Sequence, residues 1–96
     1  MKHVYLSTEA EKDLERLRDF LYNQTKSKRV LNKFDSEFEK AKTSISNNPL
    51  GYPYVENKKP IRQKYQWKYW YFFIVISNQI LITRIYHESE NWLNDL

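Results

Sequence analysis

Six cations, Lys58, Lys59, Arg62, Lys64, Lys68 and Arg84, lie between positions 58 and 84 without one acidic side chain among them. Residues 1 to 57 set ten basic groups against nine acidic ones, and residues 85 to 96 carry three acids and no Lys or Arg. The net charge of +4 therefore has its source in one segment, and a segment of that sign suits an anionic partner. Arg62 and Lys64 are two apart and share one face of an extended strand. Cations on an outer strand also serve simply to keep a sheet edge from pairing with other chains, but the absence of acids tips the reading to binding. Arg84 stands inside an apolar run, where a charge needs a reason. An ion pair with a helix carboxylate and a contact to phosphate are equally good ones. Tyr86 shares the face of Arg84, whereas His87 points oppositely unless the strand has already ended. A histidine there is more often an ordinary surface residue than a proton donor.

The composition removes several kinds of chemistry. With no cysteine there is no disulfide, no thiolate nucleophile and no Cys-ligated zinc. The two histidines, His3 and His87, are far apart, so no metal site, cofactor or small-molecule substrate is implied. The longest apolar run, Tyr69 to Ile76, is far short of the roughly 20 residues that cross a bilayer, and no signal-peptide core precedes it, so a cytoplasmic protein is expected. Tyr65, Trp67, Tyr69, Trp70, Tyr71, Phe72 and Phe73 are able to stack bases. Most read as core instead, because a small sheet under two helices needs bulk.

The elements that must position these residues follow from the pattern. At 96 residues the chain is one domain, 1–96. Lys2 to Leu6 alternate as a short strand, and Thr8 with Glu11 three residues on predicts a capping box at a helix start. Ala10, Leu14, Leu17 and Leu21 form the apolar stripe of that helix. Val30, Leu31, Phe34, Phe38, Ala41 and Ile45 repeat it in a second helix, which Asn47, Asn48 and Pro49 stop. Lys26, Lys28 and Arg29 read as a solvated turn between the two. A loop from Asn47 to Asn57 leads to three strands, Ile61–Trp67, Tyr69–Ile76 and Gln79–Tyr86, with Ser77 and Asn78 as a hairpin turn. Trp92, Leu93 and Leu96 then make a short docking helix or a loose end. The predicted fold is α+β, in the order β-α-α-β-β-β, with an antiparallel sheet packed against a two-helix hairpin.

That order, and three sequence words within it, resemble the RelE/ParE superfamily of toxins from type II toxin–antitoxin systems. Ser7-Thr8-Glu9-Ala10-Glu11-Lys12-Asp13-Leu14 is similar to the family's Ser-x-x-Ala-x-x-Asp-Leu opening. Ile45-Ser46-Asn47-Asn48-Pro49-Leu50-Gly51 resembles its loop after the second helix, and Ile82-Thr83-Arg84-Ile85-Tyr86-His87 its last strand. The resemblance covers nearly the whole chain.

It implies a growth-inhibiting protein of the plasmid-stabilization kind, neutralised by a cognate antitoxin for which the exposed side of the helix hairpin is the implied dock. Its target is either gyrase or the ribosome with its mRNA. In RelE-like members that cut messenger RNA the 2′-OH of the RNA is the nucleophile, so the protein supplies cations and a proton carrier. The resemblance points to Lys58, Lys59, Arg62, Lys64 and Arg84 for binding. Arg62, Lys64, Arg84, Tyr86 and His87 are the catalytic set if the chain is a nuclease. Trp70, however, follows Tyr69 where the family usually carries Arg, and Glu88 and Glu90 beside His87 repel phosphate. The reading is therefore a ParE-like inhibitor of DNA gyrase without nuclease chemistry. A RelE-like ribosome-dependent endoribonuclease is the first alternative and a non-toxic partner-binding relative the second.

Overall fold

A computed structural model describes residues 2–92 and residue 96. The chain runs β1 (His3–Leu6), α1 (Thr8–Thr25), α2 (Lys28–Asn47), a 3-10 turn (Pro49–Gly51), β2 (Arg62–Gln66), β3 (Tyr69–Ile76) and β4 (Gln79–His87). Ser7, not Thr8, caps α1. Its Oγ accepts the Ala10 N–H at 3.0 Å and donates to the Thr83 carbonyl at 2.9 Å, so β4 holds the cap and Thr8 falls inside the helix. Lys26 ends α1 in the left-handed conformation, and Ser27 caps α2, which puts Lys28 and Arg29 in the first turn of α2.

The strands lie in the order β1-β4-β3-β2. The meander β2-β3-β4 is antiparallel as predicted, while β1 joins β4 in parallel, from His3 opposite Gln79 to Leu6 opposite Ile82, which makes the sheet mixed. The helix hairpin is the crossover that returns the chain in the same direction. Ser77 turns the β3–β4 hairpin with φ 53°. The β2–β3 turn consists of Trp67 and Lys68, both at positive φ (44° and 74°), which suits the right-handed twist of the strands. Phe72 pairs with Arg84 and Phe73 with Ile82, so Thr83 is the extra residue of a β-bulge.

Both faces of the sheet are covered. On one, Ala10, Leu17, Phe34, Phe38, Ala41 and Ile45 from the helices meet Tyr69, Tyr71, Phe73, Ile80, Ile82 and Ile85. On the other, Val55, Phe72 and Tyr86 are buried under Ile61, Trp70, Trp92 and Leu96. The predicted aromatic core is thus split between two layers. Trp92 lies with its ring 4.7 Å from that of Phe72 and is not helical, while Leu93 lies outside the described residues.

Strand β1 spans only the first half of β4. Beyond Leu6 the open edge of β4 is served by α1 and its cap: Ser7 N–H donates to the Ile82 carbonyl at 2.9 Å, and the Asp13 carboxylate accepts the Ile85 N–H at 3.0 Å. No described helix is long and apolar enough to cross a membrane.

Candidate functional site

The register places the predicted site residues on two faces. Arg62 lies opposite Phe73 and Lys64 opposite Tyr71, so both belong to the helix-side face of the outermost strand, β2. Arg84 lies opposite Phe72 and Tyr86 opposite Trp70, on the other face, and His87 lies opposite Tyr69, back on the helix side. The set does not converge on one point.

Around β2 the cations gather on two tyrosines of the preceding loop. Arg62 donates Nη1 to the Tyr52 carbonyl at 2.7 Å and Nη2 to the Tyr54 hydroxyl at 2.9 Å, and its guanidinium stacks 4.0 Å from the Tyr54 ring centre. Lys59 stands 5.0 Å from the same ring and Lys64 stands 5.2 Å from that of Tyr52. Lys58 is set apart, its Nζ donating to the Leu96 carbonyl at 3.4 Å. Arg62 is therefore held by the loop, while Lys59 and Lys64 keep their ammonium groups at the surface. The result is a basic, aromatic-backed strip along the sheet edge.

Arg84 realises the ion-pair alternative. Its Nε donates to Asp13 Oδ2 at 2.7 Å and its Nη2 to Oδ1 at 3.1 Å; this paired carboxylate raises the guanidinium's pKa against the opposing effect of burial. Asp13 also draws in Arg16, whose Nη2 lies 3.4 Å from Oδ1 while its Nη1 donates to Glu90 Oε2 at 2.7 Å. The Tyr86 ring lies beneath both guanidiniums, 4.7 Å from that of Arg84 and 5.8 Å from that of Arg16. His87 packs edge-on against Tyr69 at 5.2 Å. Its Nδ1 accepts the Ser89 N–H at 3.1 Å and lies 2.7 Å from the Ser89 hydroxyl. Nδ1 is thereby an acceptor, which leaves the proton on Nε2 in the neutral ring.

Trp70, at the position where the resemblance leads one to expect a cation, packs instead on Tyr65 at 5.1 Å and Trp92 at 6.0 Å. Tyr65 donates its hydroxyl to Glu88 at 2.5 Å, and that bond is the main cause of its raised pKa. Glu88 is thus engaged away from His87. Among the described residues no group of three His, Cys, Asp or Glu is placed to hold a metal ion.

Sequence reasoning passed over Arg16 and met Glu90 only as a charge beside His87; the two, with Leu17, Phe20, Leu21, Val30, Trp67, Tyr69 and His87, line a groove of about 830 Å³ between α1 and the ends of β3 and β4. A signal was there to read. Asp13 falls on the same helical face as Ala10, Leu14 and Leu17, and an acid in an apolar stripe demands cations.

A four-stranded mixed sheet on a helix hairpin, with a basic outer strand and a last strand ending in Arg-x-Tyr-His, is the α+β architecture to which the sequence words pointed. Residues 4–92 match the family described as "ParE toxin of type II toxin-antitoxin system, parDE", and the chain belongs to that family. Among the solved structures that share the fold are two that cover nearly the whole chain. One is the chromosomal ParDE TA system from P. aeruginosa, 18% identical, covering 91% of this chain and 96% of that one with a TM-score of 0.73. The other is the solution structure of a conserved hypothetical protein from Helicobacter pylori, 20% identical, covering 94% and 98% with a TM-score of 0.62. Comparison with curated proteins finds no match. A toxin of a type II pair has an antitoxin protein as its partner, and this much follows from family membership.

Proposed function

We propose that this toxin acts in the cytoplasm by binding DNA gyrase and blocking it, without cutting RNA, and that its antitoxin relieves the block. The observation that carries this reading is the division of the candidate nuclease set between two faces. Phosphoryl transfer needs its cations and proton carriers within a few ångströms of one phosphate. Here Arg84 faces away from Arg62 and Lys64 and is committed to Asp13. Arg62 is committed to Tyr52 and Tyr54. In the same direction points Trp70, an indole packed on Trp92 where phosphate chemistry wants a cation. The strip formed by Lys59, Arg62 and Lys64, with Lys58 set apart from it on the Leu96 carbonyl, is then the surface for the target and steers association through its charge.

The test is induced expression of the toxin in cells, with gyrase supercoiling assayed and transcript ends mapped in the same culture. Blocked supercoiling with intact transcripts is the expected result. Cuts phased with codons, lost in Arg84→Ala, would overturn it in favour of ribosome-dependent mRNA cleavage. Growth inhibition with neither effect would also exclude gyrase.

A further inference from the structure

Glu90 divides its carboxylate between two donors. Oε1 accepts the main-chain N–H of His87 at 2.7 Å, and Oε2 accepts Arg16 Nη1 at 2.7 Å. An N–H and a guanidinium aimed at one carboxylate make a seat of carboxylate shape, and charge-assisted bonds of this length are the strong kind. The seat does not depend on its occupant. Arg16 is also held by Asp13, which is 3% exposed and is itself fixed by Arg84 and the Ile85 N–H, while the His87 N–H belongs to a strand. The occupant is a local one: Glu90 lies just past β4 on a short turn closed by its own N–H to the His87 carbonyl.

The seat opens on the groove of about 830 Å³, whose walls are Leu17, Phe20, Leu21, Val30, Trp67 and Tyr69. Phe20 is 65% exposed there, an apolar side chain with no cover of its own. We propose that seat and groove together form a binding site for a polypeptide segment that lays apolar side chains along the groove and places a carboxylate between Arg16 and the His87 N–H, displacing Glu90. The walls favour a polypeptide over nucleic acid. Asp13 behind Arg16 repels a doubly charged phosphate more than a carboxylate, and Glu90 shows which anion the donors fit. That this segment belongs to the antitoxin rests on the reading given above. The site itself does not. Glu90 is then a built-in competitor that makes the site selective, since a partner must offer both the anion and the apolar contacts to replace it.

The probe is sodium phenylbutyrate, titrated by amide NMR at fixed ionic strength into the wild-type protein, Glu90→Ala and the double variant Arg16→Ala/Glu90→Ala, with acetate and inorganic phosphate as comparisons. Glu90→Ala is expected to show a saturable shift of the His87 N–H with phenylbutyrate, roughly tenfold tighter than with acetate because the phenyl group buries apolar area in the groove. Wild type is expected to bind roughly tenfold more weakly, since the tethered Glu90 competes at high effective concentration. The double variant is expected to lose the site. No saturable shift in Glu90→Ala, an undiminished one in the double variant, or phosphate binding tighter than phenylbutyrate would each overturn the proposal. If Glu90→Ala proves unfolded by circular dichroism, Glu90→Gln removes the charge in the same frame. The probes involve neither gyrase nor toxicity, so a failure here leaves the proposed function standing, and the reverse holds too.

Discussion

Asp13 and Arg84, 71 positions apart in the chain, meet in a two-bonded ion pair, and the carboxylate that receives the guanidinium also takes the N–H of Ile85. The pair closes the part of β4 that β1 is too short to cover, and ties α1 to the sheet at the point where the bulge at Thr83 shifts the strand's register. Its two members are not equivalent. Asp13 serves three donor residues, Arg84 serves one acceptor residue.

Asp13→Ala is therefore expected to cost about 3 kcal/mol or more, because it leaves an edge N–H and two guanidiniums without their shared acceptor. Arg84→Ala should cost less, about 1–2 kcal/mol, since Ile85 and Arg16 still serve the carboxylate. Urea denaturation of the two variants checks the order. Equal losses, or a larger one for Arg84→Ala, would show that the edge N–H contributes nothing.

Glu37 gives the fold a sensitivity to acid. Burial pushes its carboxyl up, but Lys40 at 3.2 Å, the Gln66 amide at 3.1 Å and Lys33 together outweigh burial and hold it below its ordinary value of 4.5. A carboxyl depressed in the folded state contributes stability that is present above its unfolded value and lost as pH falls through the folded one. Glu37→Gln should thus be less stable than wild type at neutral pH, with the gap closing as pH drops below 4.5. A gap that stays constant with pH, in thermal melts across that range, would remove Glu37 from the account.

Two of the hairpin's three phenylalanines, Phe34 and Phe20, should behave oppositely. Phe34 is fully buried, edge-on to Tyr69 at 4.8 Å, so Phe34→Ala is expected to cost about 3–5 kcal/mol. Phe20 lies largely in solvent, and Phe20→Ser should stay within about 0.5 kcal/mol of wild type. Denaturation midpoints of the two variants test the contrast.

Lys68 holds φ at 74° with a side chain that disfavours it. Lys68→Gly should raise stability by about 1 kcal/mol, since the left-handed conformation costs a non-glycine residue about that much. A lower melting temperature would mean that its cation beside Trp67, 5.7 Å from the ring centre, outweighs the backbone term.

Helical periods and turn residues made both helices and all three meander strands legible, because each is specified by neighbours in sequence. The α1 cap shifted by one residue because Ser7 and Thr8 are both good caps, and the choice was made by the distant Thr83 carbonyl. The direction of β1 and the place of β4 between β1 and β3 depend on pairing across the whole chain, which local pattern does not encode. The Trp67–Lys68 turn carries no Gly or Asn to announce it. Among the site residues, the separation of Arg62 from Arg84 was hidden because it depends on the register of β2 and β4 against β3. The family-like Asp13-Leu14 word turns out to hold the acid that answers Arg84, so the two ends of the resemblance are one contact.

The shortness of β1 bears finally on how the molecule keeps to itself in a crowded solution. An uncovered strand edge is a template on which other chains can stack. Here α1 stops that on one side by setting Ser7 and Asp13 against β4, and on the other side Tyr54 bridges to Arg62 while Gln63 donates to the Pro53 carbonyl. The outer rim of β1 is four residues long, and that of β2 beyond Gln63 runs only from Lys64 to Gln66, both shorter than the six- or seven-residue segments that seed a fibre.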